Sequence, residues 1–250
     1  MEESCQPFYF EQSKDIAVLL VHGFTGSPGE MKPLGEYLAT KNITAYGILL
    51  PGHCTSPEDM ATKKWTMWAS AVEDGFQKLK NDGYKNIFVC GLSMGGALTL
   101  YFAENHNDFS GMISLAAPVE IRDPRLKLIP IYKFFKPFIP KEEAQKGPEI
   151  KYELYHFSYD VIPVRALHEL LKLLKAVKKN LSRITVPALI VHGKLDETVP
   201  TYNAEVIYNS ISSQHKELLW LEKSHHVMTL DVERAKLFEA VENFVRKHAK

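Results

Sequence analysis

Residues 87–104 read IFVCGLSMGGALTLYFAE. The first four are a short, unbroken apolar run of the kind that forms a strand buried on both faces. Residues 95–104 have the composition of a helix. Between them, Gly91-Leu92-Ser93-Met94-Gly95 matches the pattern G-x-S-x-G at a strand-to-helix junction. A serine on so sharp a turn is held in a strained backbone conformation, with its hydroxyl projecting beyond the end of the strand. A side chain two positions to either side would collide in that turn, which accounts for both glycines.

The same alternation extends in both directions. Residues 8–10 and 16–21 are apolar and strand-like, and the polar Gln12-Ser13-Lys14-Asp15 between them suggests two neighbouring strands joined by a tight turn. Pro28 opens a helix to about Thr40, with Met31, Leu34, Tyr37 and Leu38 at helical spacing. A strand over 43–50 and a helix over 65–79 precede the central stretch; a strand over 112–116 follows it. Later come a strand over 188–191, a helix over 202–211, a strand over 218–221 and a closing helix over 235–246. Apolar strands alternating with helices predict an α/β architecture, a mostly parallel sheet covered on both faces. The rhythm stops over residues 120–184, which hold five prolines between Pro124 and Pro148 and the aromatic residues Tyr132, Phe134, Phe135 and Phe138. A helix follows there, with Leu167, Leu170, Leu171, Leu174 and Val177 three or four apart. This segment reads as an excursion above the sheet, apolar but without a sheet of its own.

A serine hydroxyl is a weak nucleophile. It needs a base, and the base needs an orienting acid. Asp196 lies just past the 188–191 strand, and Ser224-His225-His226 just past the 218–221 strand, so the chain order is Ser, Asp, His. Asp160 and Asp231 remain alternative acids, although neither follows a sheet strand. Only one of the two adjacent histidines can face Ser93 from a tight loop. Acyl transfer also requires hydrogen-bond donors for the oxyanion. The Met94 backbone N–H, at the start of its helix, is one candidate; the Phe24 N–H in His22-Gly23-Phe24-Thr25-Gly26 is the second.

Taken together, His22-Gly23-Phe24-Thr25-Gly26, Pro51-Gly52-His53, Gly91-Leu92-Ser93-Met94-Gly95-Gly96 and His226-Val227-Met228-Thr229-Leu230-Asp231 resemble the bacterial carboxylesterase and monoacylglycerol lipase branch of the α/β hydrolases. The resemblance spans nearly the whole chain and is weakest over 120–184. It implies one α/β-hydrolase domain over 1–250, with 120–184 inserted after the sixth core strand as a cap that shapes an acyl pocket. Phe134, Phe135, Phe138, Leu167, Leu170, Leu171 and Leu174 are candidates to line it. The family usually reads Ser-Gly-His-Val at the histidine loop; here His225 replaces the glycine, and that alignment makes His226 the base. Cys54 stands where the family often has glycine.

Composition narrows the partners. Lysine plus arginine equals aspartate plus glutamate at 30 each, so nothing favours nucleic acid or strong steering of a charged substrate. Lys175, Lys178 and Lys179 read as a solvated helix face. Cys5, Cys54 and Cys90 form no metal spacing and their number is odd, which predicts reduced thiols in a cytoplasmic setting. The acidic start of the chain does not resemble a signal peptide, and no apolar run is long enough to span a membrane. The expected function is hydrolysis of medium-chain esters or monoacylglycerols through an acyl-enzyme on Ser93, with no metal or organic cofactor. A thioesterase or amidase using the same triad, and a non-catalytic binding protein on this fold, are the alternatives.

Overall fold

The computed structural model describes residues 3–133, 135–141 and 155–250. Its strands are β1 (Phe8–Phe10), β2 (Ile16–Val21), β3 (Thr44–Ile48), β4 (Asn86–Leu92), β5 (Gly111–Leu115), β6 (Phe138–Pro140), β7 (Val161–Pro163), β8 (Ala188–Gly193) and β9 (Lys216–Leu221). The main helices are α1 (Lys32–Thr40), α2 (Trp65–Asn81), α3 (Met94–Asn105), α4 (Val164–Asn180), α5 (Tyr202–Ser210) and α6 (Arg234–His248). Seven strands form one sheet in the order β1-β3-β2-β4-β5-β8-β9, and every neighbouring pair is parallel except β1 with β3.

Side chains alternate across a strand, so each apolar strand supplies both faces of the sheet. Leu19 and Val21 of β2 join Val89 and Met112 on one face, under α2, α3, α4 and α5. Val18 and Leu20 join Phe88 and Ile113 on the other, under α1 and α6. This is why β2, β4, β5 and β8 carry apolar runs without polar alternation: all of their residues are buried.

β1 corrects the expectation of a hairpin with β2. It pairs antiparallel with β3, with Phe8 opposite Gly47 and Phe10 opposite Ala45. β2 has both edges occupied, by β3 and β4. Gly47 makes room for the Phe8 ring, which a Cβ there would overlap.

The excursion leaves the sheet after β5, the strand that follows the Ser93 strand, and the chain returns to the sheet at β8. It also contains a small sheet, contrary to expectation: β6 and β7 pair antiparallel, with Ile139 opposite Ile162. Pro137, Pro140 and Pro163 conceal these strands in the sequence, because proline cannot donate to a ladder and sits at strand edges. The leucine stripe of α4 mostly anchors the helix. Leu170 and Leu174 are buried in the same cluster as α2 and α3, and Leu167 packs against it. Phe135 is 81% exposed. Phe138 and Leu171 are half-buried, and Phe134 lies outside the described residues.

The expected reduced state of all three cysteines is also corrected. Cys5 and Cys54 form a disulfide that ties the start of the chain to the loop after β3, across a Cα–Cα distance of 5.8 Å. The spacing of 49 residues gave no signal of it, because the pairing depends on the tertiary approach of two loops. Cys90 is free and buried, and burial raises its thiol above the usual range. The cysteines therefore give no argument for a reducing compartment. Among the described residues, no helix is long and apolar enough to cross a membrane.

Among the described residues, one buried acid has no hydrogen-bond partner. Both Glu104 carboxylate oxygens, near the end of α3, are buried without a hydrogen-bond partner. Burial pushes the carboxyl up to about 8, and Arg183 only partly opposes this. An unfolded glutamate titrates near about 4.3, so between that pH and about 8 the folded chain holds a proton that the unfolded chain has released. Stability therefore falls as pH rises through this window. Glu104→Gln is expected to raise stability at pH 8 by about 1–3 kcal/mol and to change it little at pH 4.5, as read from denaturant melts at both pH values.

Candidate active site

Loops after the C-terminal ends of parallel neighbours converge on one edge of a sheet. Here β2, β4, β8 and β9 deliver the segments containing Gly23, Ser93, Asp196 and His226 to that edge. Ser93 has φ 55° and ψ −117°, a strained conformation for any residue other than glycine. Its N–H donates to the Leu115 carbonyl at 2.8 Å, and its carbonyl accepts the Ala97 N–H at 3.0 Å, so both ends of the residue are fixed. The flanking glycines are steric necessities. A Cβ on Gly91 would overlap the Gly95 carbonyl, and one on Gly95 would overlap the Val21 carbonyl at the end of β2. The second of these contacts brings the start of α3 against the loop after β2, where a Cβ on Gly23 would lie 3.4 Å from the Ser93 Cβ.

His226 Nδ1 lies 2.8 Å from Asp196 Oδ2. The other Asp196 oxygen accepts the Thr198 and Val199 N–H groups at 2.8 and 2.9 Å. His192 Nε2 approaches Oδ2 at 3.2 Å. Burial opposes ionisation of Asp196, but the hydrogen bonds from His192, His226 and Val199 outweigh it and hold the carboxyl well below the usual carboxylate range. A carboxylate only accepts, so Nδ1 of His226 is the donor in this contact.

His225 is turned elsewhere. Its backbone N–H donates to Asp231 Oδ2 at 2.6 Å, and its Nδ1 lies 3.0 Å from the same oxygen. The structure thus pairs Asp231, one of the alternative acids, with the neighbouring histidine and leaves Asp196 to His226.

Met94 is the first residue of α3, where a backbone N–H has no partner within the helix. Phe24 packs edge-on against Trp68, at a ring distance of 6.1 Å. The Gly23–Phe24 peptide is held from its carbonyl side. His22 Nδ1 lies 3.0 Å from the Gly23 oxygen, which also accepts the Gly26 N–H at 3.3 Å. The Leu50 N–H donates to His22 Nε2 at 3.1 Å, so Nδ1 carries the hydrogen and donates to Gly23. A trans peptide directs its N–H opposite to its carbonyl, so fixing the Gly23 oxygen fixes the direction of the Phe24 N–H. Burial holds His22 below the usual imidazole range, in the neutral form that this pattern requires.

Neither His22 nor His192 was assigned a role from the sequence. The available signal was a polar residue closing an apolar strand, directly ahead of a functional loop. Among the described residues, no group of three or more His, Cys, Asp or Glu side chains is arranged to hold a metal ion.

The sheet and the convergent loops define a serine hydrolase of the α/β-hydrolase fold. The family model described as serine aminopeptidase, S33 (Hydrolase_4), matches residues 12–233, and the chain belongs to that family. It is 38% identical over 244 residues to a thermostable monoacylglycerol lipase of Bacillus sp. (strain H-257), covering 98% of this chain and 95% of that one. It is 32% identical over 242 residues to a carboxylesterase of Bacillus subtilis (strain 168), covering 97% and 96%. A solved structure described among the metagenome-derived lipolytic enzymes LipS and LipT superposes with a TM-score of 0.89 at 35% identity, over 99% of both chains.

The two His–Asp pairs lead to distinct expectations. His226→Ala is expected to lower kcat by about four orders of magnitude or more, and His225→Ala by less than about tenfold. Steady-state hydrolysis of p-nitrophenyl butyrate by folded variants reads both; the opposite ranking would show that turnover depends on His225 rather than His226.

Proposed function

We propose that the protein is a carboxylesterase acting on medium-chain acyl esters or monoacylglycerols, with Ser93 as nucleophile, His226 as general base and Asp196 as orienting acid. The observation that carries this reading is the 2.8 Å contact between Asp196 and His226, at the sheet edge where the strained Ser93 turn stands. The Bacillus relatives named monoacylglycerol lipase and carboxylesterase support an ester as the substrate class.

In the proposed reaction, His226 Nε2 takes the Ser93 proton as Oγ attacks the ester carbonyl carbon. The resulting oxyanion accepts hydrogen bonds from the Phe24 and Met94 N–H groups. The C–O bond to the alcohol breaks, and His226 returns its proton to the departing oxygen. Water then attacks the acyl-enzyme with the same base, releasing the carboxylic acid and restoring Ser93. Asp196 stays ionised throughout, which its low carboxyl range favours.

The residues proposed to shape the acyl site are reduced by their burial. Phe138, Leu167 and Leu171, all half-buried, are better candidates than Leu170 and Leu174, which serve the α4 anchor.

Two measurements test the reading. Ser93→Ala is expected to lower kcat by about six orders of magnitude with folding intact; a loss below tenfold would remove Ser93 from the mechanism. Across p-nitrophenyl esters, kcat/KM is expected to rise by up to about fourfold per methylene, the equivalent of about 0.8 kcal/mol, as far as hexanoyl or octanoyl, and then to fall. A steady decline from acetyl upward, or preferred turnover of thioesters or amides in the same panel, would reject the medium-chain ester assignment.

A further inference from the structure

The sequence offers Glu30 no evident task, yet its carboxylate is buried where two loops of the site meet the inserted segment. Glu30 Oε2 accepts the Gly23 N–H at 3.2 Å. It also packs on Gly26, where a Cβ would overlap the carboxylate. Its backbone carbonyl accepts the Thr229 hydroxyl at 2.6 Å, three residues past His226. On the other side, His156 Nδ1 of the insertion lies 3.2 Å from Oε1. Lys141 and Ser158 of the insertion extend this polar seam. Lys141 Nζ donates to the Thr25 hydroxyl at 3.0 Å and to the Ser158 hydroxyl, and the Thr25 and Ser158 hydroxyls lie 3.0 Å apart.

A buried carboxylate is costly unless its partners are well placed. Burial opposes ionisation of Glu30, but the His156 contact and the Gly23 N–H outweigh it, so the carboxyl is held below its usual range. A carboxylate that accepts the Gly23 N–H in the loop after β2 fixes the plane of the His22–Gly23 peptide. His22 fixes the following peptide through the Gly23 carbonyl. The two restraints act on either side of Gly23, a residue with wide backbone freedom of its own.

We propose that Glu30 is a positioning residue for the oxyanion loop, anchoring Gly23 so that the Phe24 N–H is held in its productive direction, and that His156 makes this anchor depend on the inserted segment. The inference rests on the assignment of the Phe24 N–H as an oxyanion donor. A preorganised donor acts on the transition state more than on the bound substrate, so its loss lowers kcat and leaves KM nearly unchanged.

The test compares wild type, Glu30→Leu and Glu30→Gln, with active sites counted by a fluorophosphonate probe and folding followed by thermal melts. Glu30→Leu removes the acceptor and is expected to lower kcat on p-nitrophenyl butyrate by about 10- to 100-fold, with KM within about threefold. Affinity for butylboronic acid, which forms a tetrahedral adduct on the nucleophile, is expected to fall in parallel. Glu30→Gln keeps an acceptor oxygen but no charge, so a several-fold loss in both quantities is expected. Glu30→Leu that folds with wild-type kcat and boronate affinity would overturn the proposal, even if its melting temperature drops. Should Glu30→Leu fail to fold, wild-type values in Glu30→Gln would overturn it. If the probe does not label Ser93 in the wild type, the mechanism itself fails, a result distinct from either of these.

Discussion

Ser93 stands at φ 55° and ψ −117°, and much of the molecule follows from holding it there. A strained residue persists only where its surroundings over-determine it. Here the Leu115 carbonyl of β5 receives its N–H, α3 receives its carbonyl, and both flanking positions lack a Cβ. The first of these requires β4 and β5 to be paired neighbours; the close approach of Gly95 to Val21 requires β2 on the other side of β4. The central order β2-β4-β5 is therefore part of the turn, and the parallel sheet with its crossover helices is the structure that delivers it.

Around that turn, buried polar groups are used as restraints. One Asp196 oxygen accepts two backbone N–H groups, and the other faces the imidazoles of His226 and His192 at 2.8 and 3.2 Å. His22 uses both ring nitrogens, one on each of two loops. In a low-dielectric setting such contacts are strong when complete and costly when one partner is missing. Each of these side chains thus fixes the relative position of two segments that are far apart in the chain. Glu104 shows the contrast: it is buried with neither oxygen paired, and it responds by retaining its proton.

The elements that departed from expectation share a cause. β1 pairs with β3, β6 pairs with β7, and Cys5 joins Cys54. In each case the partner is set by which edges and loops the tertiary fold brings together, and local pattern carries no record of that choice. The leucines of α4 illustrate it for packing. Their spacing identifies a buried face, but an acyl pocket and a helix interface require the same apolar stripe.

The sequence alone determined the alternation of apolar strands and helices, the serine turn and the order Ser93, Asp196, His226, because each is encoded in local composition or in position along the chain. The adjacent histidines were indistinguishable in that record except by resemblance to a family. Only the tertiary structure directed His226 to Asp196 and His225 to Asp231, and only it brought Glu30 to Gly23 and His156 to Glu30. These contacts join residues 6, 30, 7 and 126 positions apart. The shortest of them depend on the fold no less than the longest, since a side chain's direction from a loop is set by the sheet edge that holds the loop.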